Sequence, residues 1–326
     1  MGAAEQSAVA PTYIDLSSIA ADGFVSADEV LFLRRKVFAD GVVATDEVDA
    51  LFELAGRAPA GDPEWSDFFA EAIADFYLRE EDPNGYLTDA EFADLKTRAD
   101  LAGNAGRTAV LHLFVRLMEK AVSTPGAMAA FTAQALRAHI LEKTDAPHVG
   151  AADAALVRRY LFAAGGDGNV AVTQAEATLL FDVNDAVSGA DNAPEWTDLF
   201  AKAISNHLMA HLGYVAPPRA QALQVSASLS GDADAATTFA SVFDRIKAAF
   251  ANPAKEVEAR FAEQNAARAV AAADAEKITA EEADWLADRI GKDGRYDAAE
   301  QALIARMREL GAELPPRLRA LVDAAG

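Results

Sequence analysis

Apolar residues recur at helical spacing along nearly the whole chain. Val30, Leu33, Val37 and Phe38 fall on one stripe, and Phe68, Phe69, Ala72, Ile73 and Phe76 fall on another. This is the recurrence expected of amphipathic helices buried on one side. No segment alternates β-branched and polar residues in the period-two pattern of a strand, so the pattern predicts an all-α protein. Pro63 and Pro194 suit the first turn of a helix, where a missing N–H costs nothing, and Glu64 and Glu195 follow where the helix dipole favours an anion. Trp65 and Trp196 then stand at the entrance of the same kind of helix and read as aromatic anchors of the core, ahead of a ligand-stacking role.

The order of these elements occurs twice, which predicts a duplicated helical unit. LRRKVFADGVVATDEVDALFEL from Leu33 and PEWSDFFAEAIADFYL from Pro63 are answered by VRRYLFAAGGDGNVAVTQAEATLLFDV from Val157 and PEWTDLFAKAISNHLM from Pro194. Further on, LTDAEFADLKTRA from Leu87 matches ITAEEADWLADRI from Ile278, and a Pro-led helix closes each copy near Pro125 and Pro315. The expected units are 20–147 and 148–326, the second carrying a helical insertion at about 216–275. That insertion opens with APPRAQALQVSASLSGDAD and continues as two helices separated at Asn252-Pro253. Within Thr237–Ala251, Phe239, Val242, Phe243, Ile246 and Phe250 make an i, i+3, i+4, i+7, i+11 stripe. The stripe either covers its own domain or receives a protein partner or a membrane surface, and these residues are the candidate partner-binding set.

Charge narrows the function. Across 326 residues, 29 Lys+Arg against 51 Asp+Glu leave a formal charge of −22, which excludes nucleic acid as the expected partner. A hydrophobic share of 52% supplies apolar surface for two domain cores. With no Cys, there is no disulfide, thiolate nucleophile, zinc–thiolate site or iron–sulfur cluster. The stretch MGAAEQSAVAPTY lacks the basic flank and apolar core of a leader, and no segment reaches the run of about 18 apolar residues that spans a bilayer. A soluble, cytoplasmic protein is expected. No Ser–His–Asp order, Gly-rich phosphate loop or HExxH string occurs, so the sequence points away from enzymes.

One acidic phrase recurs: DGFVSADE at Asp22–Glu29, DGVVATDE at Asp40–Glu47, NGYLTDAE at Asn84–Glu91 and DGRYDAAE at Asp293–Glu300. It matches the second half of an EF-hand loop, where the last Glu gives two oxygens to calcium. It equally describes a turn followed by a capped helix, with Ser26, Thr88 and Asp297 as caps and Glu29, Glu91 and Glu300 reaching back. An EF-hand needs further oxygens at its first and third positions. Ser18 and Ala20, Lys36 and Phe38, and Arg289 and Gly291 stand there in three of the phrases, which therefore read as caps. The loop EEDPNGYLTDAE is the exception, and Glu80, Asp82, Asn84, Thr88 and Glu91, with the Tyr86 carbonyl, are candidate ligands for Ca2+. Glu80 in place of the usual Asp, and Pro83 inside the loop, favour a solvated capped turn instead.

Two other sets of polar residues invite chemistry. His207 and His211 lie one helical turn apart, as metal-binding pairs do, but His207 aligns with Phe76 of the first copy, so a core histidine is the simpler reading. His112, His139 and His148 are isolated. Arg34/Arg158, Arg35/Arg159 and Asp67/Asp198 are kept in both copies and predict half-buried ion pairs, Arg34 or Arg35 with Asp67 and Arg158 or Arg159 with Asp198. A shared acidic ligand cluster is the alternative.

FADGVVATDE, following one apolar helix and opening another, resembles the ADGxVxxxE pattern of the tellurite-resistance TerB-like helical domains. Asp40, Gly41, Val43 and Glu47 fit it; in the second copy Asp167, Gly168 and Val170 fit, while Glu176 comes two residues late. The resemblance implies compact all-α domains linked to stress response, with acidic metal-binding surfaces and no established enzymatic activity. The leading expectation is thus a non-enzymatic acidic helical scaffold or protein-interaction module; the alternative is a calcium-binding module built on the 80–91 turn.

Overall fold

The computed structural model describes residues 18–39, 41–58, 60–80, 84–143, 145–164, 172–211, 280–292, 295–310 and 314–325. The insertion at 216–275, with Phe239, Val242, Phe243, Ile246 and Phe250, lies outside the described residues. Within them are twelve α-helices, one π-helical turn and a single pair of two-residue strands, so the protein is all-α. None of the described helices is long and apolar enough to cross a membrane. The chain divides into two units, Met1–Met128 and Ala129–Gly326, where the sequence pattern places a boundary at 147/148; helix α6, Gly126–Leu141, runs across the division.

The first unit contains β1 (Phe24–Val25), α1 (Ala27–Val37), α2 (Thr45–Arg57), β2 (Ala60–Gly61), α3 (Pro63–Asp75), a π-helical turn at Phe76–Glu80, α4 (Asp89–Ala102) and α5 (Arg107–Lys120). Pro63 occupies the first turn of α3 as expected, and Trp65 is buried two residues on. Gly61 is required here because a Cβ would meet the Trp65 ring at 2.9 Å. The Asp62 carboxylate accepts the Ala27 N–H at 2.7 Å, tying the start of α1 to the start of α3. Helix α3 is central, with α1, α2 and α5 packed on it. Phe69 of α3 meets Phe52 of α2 edge to face at 5.2 Å, and Phe68, Ile73, Leu33, Leu51 and Phe114 fill the surrounding core. Past α3, the buried Tyr77 donates its hydroxyl to Asp94 of α4, whose other partner is Arg98 at 2.9 Å. Arg98 also pairs with Asp49, which joins α4 to α2.

The second unit contains α7 (Ala151–Ala164), α8 (Gln174–Ala186), α9 (Pro194–His211), α10 (Ala280–Arg289), α11 (Ala298–Leu310) and α12 (Pro316–Ala324). Helix α9 is central, with α7, α8 and α11 on it, and α10 packs against α12. Trp196 is buried in the first turn of α9, and its indole N–H donates to Asn184 Oδ1 at 3.1 Å. The Asn184 amide in turn donates to Asp297 at 2.7 Å, so one buried side chain ties α8 to both α9 and the start of α11. Phe181 of α8 meets Phe200 of α9 edge to face at 5.1 Å.

Candidate functional site

The recurring acidic phrase folds as a turn whose glutamate closes on the backbone. In α1, Glu29 accepts Ser26 N–H at 2.9 Å and the Ser26 hydroxyl at 2.7 Å on one oxygen, and Ala20 N–H at 2.9 Å on the other. Glu300 at the start of α11 repeats the arrangement, taking Asp297 N–H at 3.1 Å and Gly291 N–H at 2.7 Å. Both oxygens that an EF-hand glutamate gives to an ion are therefore engaged by N–H groups three and nine residues upstream. Gly23 sits in the turn at φ +81°, a conformation that glycine adopts without strain. Burial raises the Glu29 carboxyl, but the bonds from Ser26 and Ala20 outweigh it and hold the group below the usual carboxylate range.

Two further carboxylates do the same work. Glu47 accepts Ala44 N–H at 2.9 Å, although Ala44 has no side chain to return the bond. Glu176 accepts Thr173 N–H at 2.7 Å and its hydroxyl at 2.9 Å, and Thr173 Oγ1 accepts Glu176 N–H at 3.3 Å. The string Thr173-Gln174-Ala175-Glu176 spells this box in the sequence, but its place outside the recurring phrase hid it. Of the positions that resemble the TerB-like pattern, Gly41 has φ +83° and Val43 and Glu47 are buried. Asp40, Asp167, Gly168 and Val170 lie outside the described residues.

In the 80–91 loop, Thr88 and Glu91 form a capping box, with Thr88 N–H donating to Glu91 at 2.6 Å and Glu91 N–H to Thr88 Oγ1 at 3.2 Å. Asn84 is exposed. Gly85, at φ +82°, donates to Leu78 O and accepts from Val122 N–H, both at 2.7 Å, so this turn is pinned against the segment after α5. Asp82 and the Glu80 side chain lie outside the described residues. Among the described residues, no group of three or more His, Asp or Glu side chains is arranged to hold a metal ion.

His207 is buried, donates Nδ1–H to the Val172 carbonyl at 2.7 Å and meets Trp285 edge-on at 6.2 Å. That is the environment of a core histidine; the His211 side chain lies outside the described residues. His139, isolated in sequence, joins Lys143 and Asp153. Its Nε2 lies 3.2 Å from one Asp153 oxygen, while Lys143 Nζ donates to the other at 2.6 Å and to His148 O at 3.0 Å.

The ion pair expected between Arg34 or Arg35 and Asp67 is not formed. Asp67 leaves 71% of its side chain exposed and faces His112 at 3.6 Å. Arg34 instead meets Glu71, one turn along α3, at 2.7 Å, with its guanidinium 5.4 Å from the centre of the Phe68 ring. The corresponding pair in the second unit is present but open to solvent, Arg158 to Asp198 at 3.6 Å. Exposed pairs of this kind contribute about 0–1 kcal/mol, well short of a buried pair.

Two surface features complete the inventory. A cleft of 570 Å³ is lined by Arg295, Tyr296, Gln301, Ile304, Arg308 and Ala325, two of them cationic and none acidic. The outward face of α1 carries Asp28, Leu31, Phe32, Arg35 and Lys36, with Leu31 51% and Phe32 47% exposed. The Lys36 ammonium stands 5.7 Å from the centre of the Phe32 ring. No protein-family model, curated protein or solved structure matches the chain.

Proposed function

We propose that this chain is a non-enzymatic helical scaffold that binds a protein partner. The observation that carries the reading is the outward face of α1, where Leu31 and Phe32 stand side by side in solvent on a helix whose Val30, Leu33 and Val37 already fill the core. Adjacent large apolar side chains on a rigid helix are anchors for an interface. Arg35 and Lys36 flank them, so the complementary partner is a segment with apolar anchors and Asp or Glu beside them. The insertion stripe from Phe239 to Phe250 supplies a second candidate surface by its sequence pattern.

Two regularities support reading the units as copies of one domain. The Phe52–Phe69 and Phe181–Phe200 pairs fall on matched positions of the two sequences, and a Pro-Glu-Trp string opens the central helix of each. The likeness of FADGVVATDE to TerB-like domains favours a role in stress response.

The test is capture of partners from the native cell by three proteins: the wild-type chain, Leu31→Ser/Phe32→Ser, and Phe243→Ser/Phe250→Ser, each first shown to be folded by circular dichroism. Loss of an acidic, apolar-anchored partner with the α1 variant supports the reading. Equal capture by all three overturns it. Calcium at Glu80, Asp82, Asn84, Thr88 and Glu91 is the second reading, in which the ion competes with the Thr88 N–H for Glu91. Calorimetric heat that disappears on Glu91→Gln would support it.

A further inference from the structure

We propose that Glu176 makes the entry of α8 a proton-operated latch, closed while its carboxyl is protonated and released as that carboxyl ionises. The inference is independent of the scaffold reading. Four hydrogen bonds hold the two residues that lead into α8. Val172 N–H donates to Asn206 Oδ1 at 2.8 Å, Val172 O accepts from His207 at 2.7 Å, and Thr173 gives its N–H and hydroxyl to the Glu176 oxygen Oε2. Asn206 and His207 fasten the corner to α9, and Glu176 fastens it to α8 itself.

Glu176 lacks the second backbone N–H that Glu29 and Glu300 receive on their other oxygen. It is 5% exposed, and the groups bonded to its carboxyl are the single N–H and hydroxyl of Thr173. Glu29, in the same kind of box, is less buried and has backbone N–H groups on both oxygens. Among the described residues no Lys or Arg pairs with Glu176. Among the described residues, the titratable groups near it are Tyr160 of α7, itself buried and held neutral, and His207 of α9, which addresses the Val172 carbonyl. A buried carboxylate with so few donors is costly, whereas a protonated carboxyl still accepts the Thr173 N–H through its carbonyl oxygen. Burial accordingly lifts Glu176 to about 7, against the bonds from Thr173, which lower it. Ionisation near neutral pH is relieved when the side chain reaches water, which requires the first turn of α8 to open.

The readout is site-resolved amide exchange of the full chain at pH 6 and pH 8, corrected for intrinsic exchange. If opening returns Glu176 to its ordinary value, the opening equilibrium at 173–177 rises roughly tenfold over this interval. The residues of the Glu29 box stay flat and serve as the internal control, and Glu176→Gln abolishes the excess at 173–177. Should that variant fail to fold, carbon NMR of the wild-type Glu176 carboxyl decides the matter: a midpoint near neutrality supports the latch, and one near 4.5 overturns it. Exchange at 173–177 that changes no more than at the Glu29 box also overturns it.

Discussion

Replacing Asp153 by Asn tests how the second unit joins α6 to α7. Asp153 lies in the first turn of α7 and is buried. Its carboxylate accepts Gly150 N–H at 2.7 Å, Lys143 Nζ at 2.6 Å and His139 Nε2 at 3.2 Å. Burial by itself would raise this carboxyl, but the three hydrogen bonds and the Lys143 charge prevail and bring it from 3.8 down to about 2. A depressed carboxylate adds stability that is fully present above its unfolded value and is lost as pH falls through its folded one. The shift corresponds to about 2 kcal/mol, an order-of-magnitude figure. Asparagine keeps the size of the side chain and removes the charge. Urea unfolding followed by tryptophan fluorescence should therefore show Asp153→Asn less stable than wild type by about 2 kcal/mol at pH 6, with the gap roughly halved at pH 3 as the wild-type carboxylate begins to protonate. Equal stability at pH 6 would refute the clamp. A gap that does not shrink on acidification would show that shape, not charge, joins the helices.

Trp196→Phe leaves the buried Asn184 carbonyl without its indole donor and should cost about 1–3 kcal/mol in urea unfolding, on top of the lost ring area. Arg34→Ala and Asp67→Ala should each lower stability by less than about 1 kcal/mol, since Arg34 and Asp67 are both solvent-exposed; a larger loss would show that the α1–α3 contact, for Arg34, or the α3–α5 contact, for Asp67, is more deeply buried than its geometry indicates. Glu29→Ala removes the acceptor for Ser26 and Ala20 and should destabilise α1 by about 1–2 kcal/mol. Because Glu29 is depressed, that loss should shrink as pH falls below the ordinary carboxylate range, which melting curves at pH 7 and pH 3 would read.

The helices, the buried tryptophans and the caps at Ser26, Thr88 and Asp297 were legible because each depends on residues within a turn or two along the chain. What could not be read depends on how elements meet. Asp67 and Glu71 lie one turn apart on α3, so their spacing places both on one face of that helix without saying which meets Arg34. A shift of one helical pitch, about 5.4 Å, exchanges one for the other, and the structure sets α1 against Glu71. His139 gave no signal because its partner Asp153 belongs to the next helix. The capping glutamates show the limit most sharply. Ser26-Ala27-Asp28-Glu29 and Thr173-Gln174-Ala175-Glu176 spell the same box and make the same local bonds. Yet Glu29 is pulled below the ordinary carboxylate range and Glu176 is pushed to about 7. The motif fixes where the carboxyl points, while burial and the second N–H, supplied to Glu29 from nine residues away, decide its charge at neutral pH. Transplanting that donor should therefore carry the behaviour with it: a chain change that brings a backbone N–H onto the second Glu176 oxygen would lower its titration midpoint, whereas an unchanged midpoint would leave burial as the sole determinant.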